Sequence, residues 1–397
     1  MSGRTADSCA VALRGVRAAD PGFAGRREVV VDGGRFAEPV PARVPVLTLP
    51  LEGHLLVPAL VNAHDHLHLN AVPRPEGIGL HPNAYAWIEA FQPRFRDPAV
   101  VAARAVPDAV RAWHGGLKNL FSGALLVAHH DPWQPVFDDP SFPVRVVRRM
   151  GWSHSLGLER QYGPPVAESY SKTPRDAPWI IHLAEGVDDV AGRELSLLEE
   201  AGAFGANTVL VHALGLGARD VDRVLARGSG VVWCPSSNLF MFGRTLDPLP
   251  FASRGALALG TDSRFTGGFD LLTELRVASA SGLSAADLVP LVTSSAARLL
   301  RAPDAGRLAT HGPADFLLLR GEGEDPASAL VSASRADLRG VVRNGVPAVA
   351  DPDLAAWFDA AGEEAVPVRL DGRPKLCAAR FLRLREAVAL EPGLELA

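Results

Sequence analysis

The stretch from Leu55 to His68 constrains this chain more than any other. An apolar run, Leu55-Leu56-Val57-Pro58-Ala59-Leu60-Val61, ends in histidines at alternate positions, His64, His66 and His68. In a β-strand, side chains at i and i+2 leave the same face. His64 and His66 then project together from the strand's end. Two imidazoles begin a transition-metal site without completing it, so the remaining ligands must come from elsewhere in the chain.

Downstream, one pattern repeats: an apolar strand ending in polar residues, then a helix. Ala124 to His130 ends in His129-His130-Asp131. Trp179 to Glu185 ends with His182 and Glu185, and Thr208 to Leu214 carries His212. Gly230 to Cys234 runs into Pro235-Ser236-Ser237-Asn238, and Ala256 to Gly260 into Thr261-Asp262-Ser263. Val144 to Val147 and Trp152 to Leu158 read as shorter strands. Pro98 to Ser122 reads as one amphipathic helical region kinked at Pro107. Asp270 to Ser281 and Ser284 to Arg301 read as helices, the second with Ser284 as its N-cap.

Strands alternating with helices make a parallel sheet, hence an α/β fold. The seven or eight strands between residues 55 and 262 suit a (β/α)8 TIM-type barrel. In such barrels chemistry sits at the C-terminal ends of the strands. His64, His66, His130, His182, Glu185, His212, Asn238 and Asp262 all fall there. The chain ends read differently. Cys9 to Val16, Glu28 to Val31 and Val44 to Leu51 look like short strands, with Asp32-Gly33-Gly34 as a turn. Residues 314–320 and 341–350 return to short strands. The expected organisation is a small β-sandwich domain from residues 1–54 and 306–350, a barrel over 55–305, and a C-terminal tail, 351–397, that is helical by pattern.

Composition narrows the function. A net charge of −5 over 397 residues, with no basic patch, does not suggest nucleic acid as a partner. No apolar run approaches the roughly 20 residues of a membrane span, and the start lacks the charged and apolar regions of a signal peptide. Cys9, Cys234 and Cys377 are too few and too scattered for a disulfide framework, which suits the cytoplasm.

Taken as one site, His64, His66 and His182 offer three nitrogens and Asp262 a carboxylate oxygen. Three or four such ligands with room for water describe a catalytic zinc or iron site, not a closed structural one. A metal ion lowers the pKa of its water from about 15.7 towards 7. Asp262 suits acceptance of that water's proton. Glu185, three residues beyond His182, suits proton delivery to a leaving group. His212 suits stabilisation of developing charge.

The residues Pro58-Ala-Leu-Val-Asn-Ala-His64-Asp-His66, His182-Leu-Ala-Glu185, Leu210-Val-His212-Ala and Leu259-Gly-Thr-Asp262-Ser resemble the amidohydrolase superfamily. Within it they look like the mononuclear branch of cytosine, guanine and adenosine-type deaminases and triazine hydrolases. The resemblance covers nearly the whole chain, including Ala314-Asp315-Phe316 at the return to the sandwich. It implies His64, His66, His182 and Asp262 as metal ligands, Glu185 as proton shuttle and His212 as the histidine that orients the hydroxide. Binuclear members bridge two metals with a carboxylated lysine on a barrel strand. The three lysines here, Lys118, Lys172 and Lys375, read as lying in a helix, a loop and the tail. One divalent ion is therefore expected, zinc ahead of iron or manganese.

Other residues divide between roles. Tyr85, Trp87, Ile88, Phe91 and Phe95 have helical spacing and read first as core packing, second as a pocket wall. His130, Trp87, Trp152 and Asn238 are the substrate-binding candidates, with Asp131, Trp133, His154 and Arg160 nearby. His68 reads as passing the mouth of the site. His54, His81, His114 and His311 read as solvent or loop histidines. Cys234 reads as a buried small residue, and Arg264 as either an anion clamp or a surface salt bridge.

The expected function is deamination of a small nitrogen heterocycle, such as a purine, pyrimidine, pterin or triazine, by a metal-activated hydroxide. The enzymatic alternative is hydrolysis of a cyclic amide in the manner of imidazolonepropionase. The non-enzymatic alternative is a catalytically silent barrel used for binding or assembly. The expected partner is a small molecule, not nucleic acid or membrane, and a homo-oligomer is compatible with the sequence.

Overall fold

A computed structural model of the protein describes residues 9–26, 28–38 and 45–396. Eight parallel strands carry the polar strand ends. Leu60–Asp65, Ala124–His129 and Arg145–Val146 form one sheet. Gly151–Ser153, Trp179–Leu183, Thr208–His212, Gly230–Trp233 and Leu257–Leu259 form a second, in that order. Every residue of Leu60–Asp65, Trp179–Leu183, Thr208–His212 and Gly230–Trp233 is buried. That is the continuous burial of parallel strands covered on both faces.

The last strand returns to the first. The amides of Thr261 and Asp262 donate to the His64 carbonyl at 2.9 and 3.1 Å, and the His66 amide donates to the Asp262 carbonyl at 2.8 Å. Gly260 permits this approach, because a Cβ there would stand 2.7 Å from the Cβ of His64. On the other side, no ladder joins Arg145–Val146 to Gly151–Ser153 among the described residues. The expected barrel is therefore present as two hydrogen-bonded arcs and not as one closed ladder.

Local sequence accounts for several helix ends. Ser284 and Asp287 make a reciprocal capping box, and Asp188 and Asp270 cap the helices Asp189–Glu200 and Leu271–Ala278. The single kinked helix expected over 98–122 is instead two helices, Pro98–Ala105 and Asp108–Phe121. Pro107 forces its predecessor out of the helical region, and Val106 is extended, with ψ 131°.

The chain ends meet in sheets. Ala10–Arg14 lies between Glu28–Asp32 and Val46–Pro50, and Phe316–Arg320 pairs antiparallel with His54–Pro58. Val44, expected to open a strand, lies outside the described residues. The tail expected to be helical has only two α-helices, Ala355–Ala361 and Arg385–Leu390. It adds Ala365–Leu370, Arg373–Ala378 and Leu394–Leu396 to the eight-stranded sheet that holds Phe316–Arg320. The signal was period 2: Val366, Val368 and Leu370 alternate before Asp371-Gly372, a two-residue turn with φ of 49° and 76°. One apolar cluster runs from Val11, Leu55 and Phe316 to Leu117, Ile181 and Leu259. None of the helices is long and apolar enough to cross a membrane, among the described residues.

Candidate active site

The strand ends converge on four donor atoms. Nε2 of His182 lies 3.3 Å from Nε2 of His64 and 3.3 Å from Nε2 of His66. Oδ1 of Asp262 lies 3.6 Å from the former nitrogen and 3.5 Å from the latter. Ligands about 2.1 Å from a tetrahedral zinc-type ion stand about 3.4 Å apart. Imidazole nitrogens this close, lone pair towards lone pair, make sense around a cation. The donor set thus fits a divalent metal ion.

The outer nitrogens agree with that assignment. Nδ1 of His182 donates to the His154 carbonyl at 2.9 Å, and Nδ1 of His66 donates to Asp131 Oδ2 at 2.6 Å. Each bond fixes the tautomer that leaves Nε2 free for a metal. Burial lowers the pKa of His64 and of His182, which keeps them neutral. Burial acts the same way on His66, but Asp131 outweighs it and raises that pKa to about 9. Asp262 would be raised by burial. The His64 hydrogen bond and the nearby His66 and His212 prevail and hold its carboxyl well below the usual range. Its Oδ2 accepts from Ser237 Oγ at 2.7 Å and from Thr266 Oγ1 at 2.6 Å, leaving Oδ1 for the cluster.

Glu185 and His212 stand beside the cluster. Burial pushes the Glu185 carboxyl well up, and the charges of Asp262 and Glu194 add to the rise. Glu185 Oε1 is 3.4 Å from His212 Nε2. Nδ1 of His212 donates to Asn238 Oδ1 at 2.8 Å, and burial lowers the His212 pKa to about 4. Three strand ends are strained here. Ala184, His212, Ala213 and Asp262 have φ of 52°, 72°, 52° and 57°. The Ala184 amide is held at 2.5 Å by the buried Glu194, which also binds Tyr85 Oη. Between His64 and His66, Asp65 accepts from Lys118 Nζ at 3.1 Å, Asn119 at 2.8 Å and Asn70 at 2.9 Å. Lys118 is buried and occupied by Asp65, Asn70 and Thr261.

His68, His129 and Asp131 form a second group of adjacent donors. Hydrogen bonding gives this group a different character. The Leu67 amide donates to His129 Nδ1 at 3.2 Å, which leaves the proton on Nε2. Asp131 is engaged by His66. Asp131 thus links this group to His66 through a carboxylate–histidine hydrogen bond.

A cavity of about 390 Å3 opens over His66, His182, Glu185, His212 and Asp262. Trp87, Ile88, Phe91 and Phe95 line it, so the segment expected first as core packing is also a pocket wall. Tyr85, from the same helix, turns away to Glu194. Of the substrate-binding candidates, only Trp87 lines the cavity. His130 lies beneath the cluster, fully buried, with its ring stacked 4.4 Å from His182 and Nε2 donating to Ser153. Trp152 packs 5.6 Å from His130, behind it. Asn238 is buried against His212. His68, Asp131 and His154 reach the cavity, whereas Trp133 packs against Phe137 and Arg148. His114, expected in solvent, is buried 3.0 Å from Glu391, and Arg264 also pairs with Glu391. Cys234 is buried, as expected. Thr266 and Glu194 were not singled out in the sequence, and Ser237 stood there only as one of three polar residues after a strand, able to bond a substrate ring or to form a plain turn. They have no local signal, because their roles depend on contacts made across the fold.

The model of the amidohydrolase family matches residues 173–348. The chain is 26% identical to the 8-oxoguanine deaminase of Pseudomonas aeruginosa, across 78% of this chain and 87% of that protein. It is 24% identical to the 5-methylthioadenosine/S-adenosylhomocysteine deaminase of Nitratidesulfovibrio vulgaris, across 57% of this chain and about half, 49%, of that one. Among solved structures, an adenosine deaminase from Xanthomonas campestris with bound zinc superposes with TM-score 0.65 at 19% identity, covering 89% and 97% of the two chains. The zinc complex of atrazine chlorohydrolase from Arthrobacter aurescens superposes with TM-score 0.65 at 17% identity, covering 85% and 95%. These two likenesses establish the shared fold.

Proposed function

We propose that this chain, which resembles the amidohydrolase family in sequence and in fold, is a metal-dependent hydrolase that deaminates a small nitrogen heterocycle. The observation that carries the reading is that His182 and Asp262 each lie 3.3–3.6 Å from both His64 and His66, with the buried carboxyl of Glu185 beside them. In the overall reaction, water adds to the ring carbon that bears the amino group, and that carbon–nitrogen bond breaks to give a carbonyl and ammonia.

His64, His66, His182 and Asp262 would hold one ion, zinc ahead of iron or manganese, which supplies Lewis acidity and lowers the pKa of water. Lys118, the lysine nearest these strands in the sequence, is tied to Asp65, which supports a single ion over a lysine-bridged pair. The chain's own residues supply proton transfer. Asp262 stays ionised, which suits it to accept the proton of the attacking water. Burial raises the pKa of Glu185 well above the usual carboxylate value, which suits it to protonate a ring nitrogen and then, recharged, the departing ammonia. His212 is fixed by Asn238 with Nε2 towards Glu185, which orients that proton.

The strand order supports a (β/α)8 barrel that begins at Leu60 and not at the expected 55, because His54–Pro58 pairs with Phe316–Arg320 in the other sheet, with a small β-sandwich from the chain ends and the tail strands joined to it. Three free cysteines support a reducing, cytoplasmic setting. The test is metal analysis of the purified protein together with an ammonia-release screen over purines, pyrimidines, pterins and triazines. About one equivalent of zinc and ammonia from at least one class are expected. Ring opening without ammonia would shift the chemistry to cyclic amides. Metal well below half an equivalent, with no turnover after reconstitution, would remove the enzymatic reading.

A further inference from the structure

The catalytic groups occupy only one side of the cavity. The other side is built from Val72, Trp87, Phe91, Phe95, Val100 and Phe265. Their rings interlock: Phe91 lies 4.8 Å from Phe265, 4.9 Å from Phe95 and 5.5 Å from Trp87, and Trp87 lies 5.5 Å from Phe265. Such edge-to-face and stacked pairs hold a fixed surface. The wall is also registered to the proton-carrying group. Asn83 caps the helix Ala84–Phe91, and the Ala84 amide donates to the Glu185 carbonyl at 2.9 Å.

This surface offers little to a polar substituent. Within the aromatic cluster the one polar group is the indole N–H of Trp87, buried without a partner; Asp108, Tyr162 and Ser263 line other parts of the cavity. The nearby guanidinium of Arg111 is engaged by the Val106 and His68 carbonyls and by Asp108, and that of Arg104 lies over the Phe95 ring at 4.7 Å. A sugar set against this wall would leave hydroxyls desolvated and unpaired. An alkyl or aryl group would instead replace water on an apolar face. The cavity, about 390 Å3, lies at the small end of ligand sites, which accommodates a single heterocycle plus one ring-sized group.

Resting on the deaminase reading above, we infer that the substrate is an amino-heterocycle carrying an apolar alkyl or aryl arm in place of a glycosyl group, with the arm seated on the Trp87–Phe91–Phe265 wall.

The test uses the zinc-loaded full chain and matched pairs, 9-benzyladenine against adenosine and 1-benzylcytosine against cytidine. Ammonia release gives kcat/KM, and calorimetric titration gives Kd. For the ring that fits, the benzyl compound should be preferred at least about tenfold, the scale of burying one aromatic ring. Phe91→Ser should bring that ratio towards one, and the half-buried Ile88→Asn is the second variant should Phe91→Ser fail to fold. Equal or reversed preference, or a ratio indifferent to both variants, would overturn the inference while any ammonia released leaves the deaminase reading standing. Preferential binding of the benzyl compounds without ammonia from any of the four would do the reverse: the arm site would stand and the deaminase reading would fall. Absence of both binding and turnover with all four compounds would count against the arm site.

Discussion

Glu185 illustrates how one side chain acquires a function from its surroundings. A glutamate in water is ionised at neutral pH. Here burial and the charges of Asp262 and Glu194 raise its pKa well above the usual carboxylate value, the direction required of a group proposed to deliver protons to a leaving amine. Replacing Glu185 by Gln should leave zinc content unchanged and lower turnover by at least about a hundredfold. Loss of zinc from that variant, measured by mass spectrometry, would make Glu185 a ligand instead. Asp131 acts one bond further out. It grips Nδ1 of His66 and so would aim Nε2 at the proposed ion. Asp131→Asn should weaken zinc binding by about ten- to a hundredfold in chelator competition, the usual cost of losing such a partner. Unchanged affinity would reduce Asp131 to a cavity-lining group. The sequence exposed Asp131 only as one of two neighbours able to face the site. The hydrogen bond to His66 decided which, and how.

Among the elements, the helix Asp108–Phe121 does the most to fix the metal strand. It carries Lys118 and Asn119 to Asp65, and it packs against the turn Leu67–Ala71 that follows His66. Gly115 permits that contact, since a Cβ there would stand 2.2 Å from the Leu67 carbonyl. Gly115→Ala should therefore destabilise the protein by about 1–3 kcal/mol, the range for overpacking a tight contact, and lower zinc affinity as the turn after His66 shifts. Denaturant melts and the same competition assay would check both. A variant as stable as the parent would mean that the two elements separate freely. The helix itself was legible from its amphipathic pattern. Its division from Pro98–Ala105 was not, because a proline marks a boundary or a kink with equal force until packing decides. The tail strands were misread for a related reason: a short alternating run in a segment with helical stretches on both sides carries too weak a signal alone.

At the scale of the molecule, the tail closes onto the loop that carries Asp262. Glu391 is fully buried and receives both Arg264 nitrogens at 2.9 Å, His114 at 3.0 Å, and Arg335. Burial would raise its pKa, but Arg264 and His114 prevail and hold it well below the usual carboxylate range. A depressed folded-state pKa means stability that is present above the unfolded value, about 4.3 for Glu, and lost as pH falls through the lower folded value. Glu391→Gln should cost about 3 kcal/mol at neutral pH, the scale of breaking a buried ion pair. The gap between parent and variant should narrow below about pH 4. A gap that persists at pH 3 in urea melts would remove Glu391 as the source.

By itself, the sequence determined the α/β pattern, the strand ends and the identities of the groups that meet there. It could do so because strand and helix periods are local properties and because imidazole and carboxylate chemistry travels with the residue. Tertiary structure alone decided which candidates face the cavity. It put His130, Trp152 and Asn238 behind the site, turned Trp87 and Phe91 into its wall, and set Ser237 and Thr266 on Asp262. Those outcomes depend on crossings between strands and helices far apart in the chain, where one residue of register moves a side chain from one face to the other. The alternate histidines of His64-Asp65-His66 thus declared a metal site in the sequence, and the fold supplied its spacing, its tautomers and its opposite wall.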